Sequence, residues 1–197
     1  MRRIEIALRR EGYAVRNLGY PSTRHDLAAI ADRIAPAVAD FAAGLDGPVH
    51  FVTHSMGGLV TRILLSRHRP GNLGRVVMLA PPNHGSEIAD LLHRNPLFRR
   101  SLGPAAVQLV TRRDGALASL LGQPDFELGI IAGDRALDPV ASLLLPRPND
   151  GRVSVASTRD IRAADHVVLP VSHTSILWNR SAIRHTLTFL GSGRFES

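Results

Sequence analysis

Cysteine is absent from the 197 residues, which excludes a thiol nucleophile, any disulfide and every cysteine-based zinc site. Lysine is absent as well, so all 24 basic residues are arginine. They are scattered from Arg2 to Arg194, with only isolated pairs such as Arg99-Arg100 and Arg112-Arg113. A nucleic-acid surface gathers its charge on one face or helix, so the formal net charge of +7 reads as compositional bias and no specific nucleic-acid partner is expected. No apolar run reaches membrane-spanning length. The opening Met1-Arg2-Arg3-Ile4-Glu5-Ile6-Ala7-Leu8 is interrupted by Glu5 before a signal-peptide core can form, so the chain as written is not exported by that route and the cytoplasm is the default compartment. There is no internal repeat, no low-complexity linker, no H-E-x-x-H pattern, no EF-hand loop and no Gly-rich phosphate loop behind a strand. What remains, at 44% hydrophobic content, suits one soluble globular domain, residues 1–197, expected to be a monomer.

The most informative stretch is Thr53-His54-Ser55-Met56-Gly57-Gly58. It closes a short apolar run, Val49 to Val52, and opens an amphipathic segment in which Leu59, Val60, Ile63 and Leu64 recur at helical spacing. A strand, a tight turn and a helix are what a nucleophile elbow requires, with small residues beside a serine whose hydroxyl projects above the sheet. Gly57 and Gly58 meet that demand, whereas Thr53 adds a Cβ and a hydroxyl where a glycine is usual. The plain alternative is a serine that caps a helix behind a strand. The strand before and the helix after favour Ser55 as the nucleophile.

Along the chain, Arg2 to Arg10 suits a short helix and Tyr13 to Leu18 alternates as a partly exposed strand. A turn follows at Gly19-Tyr20-Pro21-Ser22. Asp26 to Ala43 places Leu27, Ile30, Ile34, Val38 and Phe41 on one helical face, with Pro36 expected to kink or split it. The runs Val49–Thr53, Arg75–Ala80 and Glu127–Ala132 are short, apolar strands separated by helical segments, which predicts an α/β fold with a mostly parallel sheet covered on both faces. Pro81 to Asp125 does not scan as one βα unit. Its Leu91, Leu92, Leu97, Leu102, Leu109, Leu117, Leu120 and Leu121 suit short helices that form a cap over the sheet, either lining an apolar acyl pocket or simply packing in the core.

With the elbow, the stretches Gly19–Ser22, Leu79-Ala80-Pro81-Pro82-Asn83-His84-Gly85-Ser86 and Asn149-Asp150-Gly151-Arg152-Val153-Ser154-Val155, in that order, make the chain resemble an α/β-hydrolase of the bacterial esterase and triacylglycerol-lipase type, similar to GPI-inositol-deacylase-like members. The resemblance covers nearly the whole chain and implies an enzyme that hydrolyses a small-molecule ester or lipid without a cofactor. The family order of serine, acid and histidine points to His173, after the last strand-like run Val167 to Val171, whose Pro170 suits an edge strand. His54 reads as structural, His84 as pocket-lining, and His166 and His185 as strand-start and helix residues. Asp150 is the acid by its similarity to the family's Asp-Gly before a Val-rich run, with Asp134 and Asp138 as rivals and an ordinary Asn-Asp-Gly turn as the plain alternative. Some similar lipases hold calcium two residues after the histidine, where this chain has Ser175, so no metal is implied.

The resemblance implies two oxyanion donors, of which the Met56 N–H supplies the first. The second belongs to a loop after an apolar strand ending in His-Gly, and this chain starts at the helix that follows. The family places that strand between the Tyr13–Leu18 and Val49–Thr53 strands. The expectation is an N-terminally truncated hydrolase fold, through a start codon placed too late or a defective oxyanion hole. This leaves ester hydrolysis through an acyl-Ser55 intermediate as the first reading and a non-catalytic hydrolase-like binding module as the second.

Overall fold

The computed structural model describes residues 1–93, 103–112, 115–137, 142–159 and 161–195, with backbone alone at 91–93. Four strands, β1 (Val49–His54), β2 (Leu73–Leu79), β3 (Leu128–Gly133) and β4 (Asp165–Leu169), form one sheet in the order β1-β2-β3-β4, every neighbouring pair parallel. Such a sheet must be covered on both faces, and alternation along the strands divides the core accordingly. Val77, Leu79 and Ile131 pack with Ile4 and Leu8 of helix α1 (Arg2–Arg10) and Phe189 of the last long helix, Arg180–Ser192. Val76, Met78, Leu128 and Ile130 turn the other way, onto Leu65 of α3 (Met56–Arg67). Helix α2 (Leu27–Ala43) lies against α3 through Leu27, Ile30, Ala31 and Val38.

The expected strand boundaries hold to within a few residues, but the last strand starts earlier and ends at Leu169, leaving Pro170 just beyond it. Its edge position agrees with the expectation. Helix α2 runs through Pro36 unsplit, capped by the Asp26 side chain, which accepts from the Ala29 N–H at 2.7 Å. Pro36 is exposed, so the ring sits on the solvent side of the helix, away from its packed face.

The expected strand at Tyr13–Leu18 is not formed, for a physical reason: a strand needs a ladder partner, and this segment has none among the described residues. Between Arg16–Leu18 and β1 lies a cavity of about 290 Å3, lined also by Tyr20, Val38, Phe41 and Val52. The amides of Val49 and Ser55 go to Asn72 O and Leu79 O on the β2 side. By alternation, the N–H and C=O groups of His50, Val52 and His54 face this cavity.

Within residues 81–125, Leu117 and Leu121 of the helix Gly115–Leu121, with Leu109 and Leu120, pack into the α2/α3 core. Their role is packing. The side chains of Leu91 and Leu92, and Leu97, Leu102 and Asp138, lie outside the described residues. Arg62 of α3 is buried, and its guanidinium donates to Asn83 Oδ1 at 3.3 Å, to Leu121 O at 3.2 Å and to Gly122 O. This fastens the end of the helix Gly115–Leu121 to the helix behind Ser55.

One close approach sets how the last helix sits on the sheet. A Cβ on Gly129 would stand 2.7 Å from the fully buried Phe189 ring. Gly129→Ala is therefore expected to lower the denaturant midpoint by an amount equivalent to about 1–3 kcal/mol, because a buried ring has little room to retreat.

Candidate active site

Ser55 sits between β1 and α3 with φ 53° and ψ −127°, one of two non-glycine residues at positive φ among the described residues. For a residue with a Cβ this conformation costs about 1–3 kcal/mol. Its amide is held by Leu79 O at 2.8 Å, and its carbonyl accepts from Gly58 N at 3.0 Å. The serine does not cap the helix with its side chain. Of the two glycines, Gly58 is the tighter, since a Cβ there would lie 3.1 Å from both Met78 Sδ and Pro81 Cβ. At Gly57 it would meet Tyr20 Oη at 3.4 Å and Thr53 Cβ at 3.6 Å, so Thr53 fits. The Thr53 hydroxyl is buried without a hydrogen-bond partner among the described residues.

The structure brings Ser55, His173 and Asp150 together. His173 Nε2 lies 3.0 Å from Ser55 Oγ, and Nδ1 lies 2.8 Å from Asp150 Oδ2. A carboxylate only accepts, so Nδ1 carries the proton and Nε2 is left to accept from the serine hydroxyl. Asp150 is 2% exposed, and its Oδ1 accepts from the amides of Arg152 at 2.9 Å and Val153 at 2.8 Å. The Asn-Asp-Gly segment is thus a turn that also aims a carboxylate. Asn149 Oδ1 takes the Gly151 N–H at 3.0 Å, and Gly151 has φ 91°.

Asp134, the rival acid, lies beside Arg135 at 3.5 Å, while His173 Nδ1 is taken by Asp150. His84 is exposed. His166 meets Thr158 Oγ1 at 2.9 Å, and His185 stands edge-on to Phe195. His54 is more engaged than expected: its Nε2 lies 2.9 Å from His173 O.

Sequence reasoning missed Gly133. A Cβ there would fall 2.4 Å from Val171 O and 3.0 Å from Asp150 Cβ, so the end of β3 must be bare for both loops to cross it. Arg135 N donates to Val171 O at 3.2 Å, and His173 N donates to Asp150 O at 3.0 Å, which completes the crossing. A lone glycine ending an apolar strand, followed by both later site residues, is the signal that was available. Beside Asp150 and His173 a cavity of about 320 Å3 is lined also by Ile88, Leu137, Arg152 and Thr174. Met56 N–H, at the start of α3, points no hydrogen bond at any described residue.

Residues 2–188 match the model of the alpha/beta hydrolase family, and the chain belongs to that family. No curated protein matches it. Among solved structures it is similar to the mature form of the lipase BlEst2 from Bacillus licheniformis, with 21% identity and a TM-score of 0.64 over 86% of this chain and 73% of that one. It is similar also to the phospholipase PlaB from Legionella pneumophila, with 22% identity and a TM-score of 0.59 over 80% of this chain and 41% of that one. A metagenomic carboxyl esterase, MGS0156, matches at 20% identity with a TM-score of 0.51, over 74% of this chain and 52% of that one. The chain spans less than two thirds of the latter two. These likenesses show the α/β-hydrolase fold, with its parallel sheet flanked by helices. No described helix is long and apolar enough to cross a membrane.

Two expectations follow from the geometry. Ser55→Gly and Ser55→Ala both remove the hydroxyl, but only glycine relieves the backbone, so the glycine variant should be more stable by about 1 kcal/mol in chemical denaturation. The second concerns acid. Burial, and then the neighbouring His173 charge, push the His54 imidazole down from 6.5 to about 4. The unfolded chain therefore takes up this proton below about pH 6.5 while the folded one resists until about 4, and stability falls as pH drops through that window. The full effect is roughly 3 kcal/mol, and burial of His50 and His166 acts in the same direction. Unfolding free energies measured across that range should fall steeply, and less steeply in His54→Gln.

Proposed function

We propose that this member of the alpha/beta hydrolase family cleaves carboxylic esters, those of lipids or other apolar acyl groups, through an acyl-Ser55 intermediate. The observation that carries the reading is the continuous hydrogen-bonded chain from Ser55 Oγ through His173 to Asp150, at 3.0 and 2.8 Å, on a serine held in a strained turn. A neutral hydroxyl is a poor nucleophile until a base takes its proton. His173 Nε2 accepts that proton as Oγ bonds to the ester carbonyl carbon, Asp150 stabilises the resulting imidazolium, and the Met56 N–H faces the oxyanion. When the tetrahedral intermediate collapses, the alcohol leaves with the proton from His173. Water then repeats the sequence on the acyl-serine, releasing the acid and restoring Ser55. Lipase, phospholipase and carboxyl esterase structures on the same fold support an ester as the substrate class by analogy. The cavity beside His173, with Ile88 and Leu137 in its wall, suits an apolar acyl or alcohol group. The same reading keeps residues 81–125 as a cap within a single hydrolase domain.

The open edge of β1 beside Ser55 favours a second reading, a weakly active or non-catalytic hydrolase-like binding module. With Met56 N–H as the one donor, turnover would be lower by about a hundredfold to a thousandfold than with two.

A fluorophosphonate probe is expected to label Ser55, and Ser55→Ala to abolish labelling, since such probes react with activated hydroxyls. Ser86 and Ser172 are two other serines near the site, and their hydroxyls are bonded to Arg152 O and Ser175 Oγ. Peptide mapping that places the label on either would overturn the assignment. Labelling of Ser55 without measurable turnover of short- and long-chain esters would select the second reading.

A further inference from the structure

The nucleophile and the base are carried by opposite edges of the sheet. Ser55 follows β1, which among the described residues pairs only with β2, and His173 follows β4, which pairs there only with β3. The two strands are therefore not paired with each other, and the loops after them must close the remaining distance. A different contact spans it: the last residue of β1, His54, places its Nε2 2.9 Å from the backbone carbonyl of His173. A carbonyl only accepts, so this bond requires the proton on His54 Nε2. The His173 amide is engaged as well, donating to Asp150 O at 3.0 Å, so the peptide groups on both sides of the imidazole are tied. The two rings lie 4.8 Å apart at 48°. Ser55 and His173 are thus joined twice, directly through Oγ and Nε2, and again through the Ser55–His54 peptide bond and the His54 ring.

We propose that His54 is a positioning residue for the base, its Nε2–H holding the His173 carbonyl and so setting how closely His173 Nε2 stands to Ser55 Oγ. This rests on the reading of Ser55, His173 and Asp150 as the acyl-transfer residues. The charged and titratable groups facing His54 are His173, Asp150 and the amino terminus of Met1. Burial keeps the His54 ring neutral above about pH 4, so no second cation opposes the imidazolium that forms on His173 during reaction.

The test separates donor from ring. His54→Phe keeps an aromatic ring and loses the donor; His54→Gln keeps an N–H at nearly the reach of Nε2; His54→Asn carries a donor too short to span. Expected are a roughly tenfold loss of kcat and of fluorophosphonate labelling rate in the Phe and Asn variants, with KM changed by no more than about twofold, and recovery to within about twofold of wild type in the Gln variant. The low-field proton resonance of His173 Nδ1–H should broaden or vanish in Phe and Asn and persist in Gln. If the Phe variant fails to fold, Asn against Gln carries the comparison. Wild-type rates in Phe or Asn, or equal losses in Asn and Gln, would overturn the proposal. Should wild type show no Ser55 labelling, the proposed function fails, and the resonance alone decides the role of His54: an unchanged signal in every variant refutes it.

Discussion

The backbone at Ser55 is bent where a residue with a Cβ rests badly, and the surrounding structure is what keeps it there. On one side β1 is locked to β2, and the Ser55 amide itself completes that ladder at Leu79 O. On the other, α3 begins at once and buries Leu59, Val60, Ile63, Leu64 and Leu65. Each such side chain contributes about 1.5–3 kcal/mol on burial, so one helix far outweighs about 1–3 kcal/mol of local strain. A relaxed turn would swing α3 off the sheet and expose that surface. The elbow is held by the cooperative cost of undocking a helix.

From this follows the division of labour among the loops. A parallel sheet with sequential strand order puts every strand's carboxyl end on one side, where the turns after β1, β3 and β4 can meet. The sheet alone leaves the ends of β1 and β4 at opposite edges. Closing that distance falls to loops that lean across β3, and they can do so because Gly133 presents no side chain to Val171 and Asp150.

What was legible in the sequence is what local pattern encodes. Three strands, the helices at Arg2–Arg10 and Leu27–Ala43, and the elbow follow from hydrophobic period and small residues within a few positions. Asp150 and His173 were found through order along the chain, which the family resemblance supplied and residue type alone did not. Alternation at Tyr13–Leu18 promised a strand, but alternation describes two faces and says nothing of a partner, and here the neighbouring space is a cavity. Pro36 argued for a break, yet the buried residues on either side hold α2 in line. Gly133, the His54 contact and the buried Arg62 escaped altogether. Each depends on an approach between segments distant in sequence, for which a single chain carries no periodic mark.

Arg62 gives the molecule a lopsided chemistry. A guanidinium keeps its proton across any range in which a protein survives, so the clamp on the carbonyls of Leu121 and Gly122 does not loosen as solution turns alkaline. The same holds for every other cation outside the histidines and the amino terminus, since the chain contains no lysine to neutralise. On the alkaline side there is little for hydroxide to switch off among the basic side chains, and the Arg62 clamp behind the nucleophile keeps its charge there.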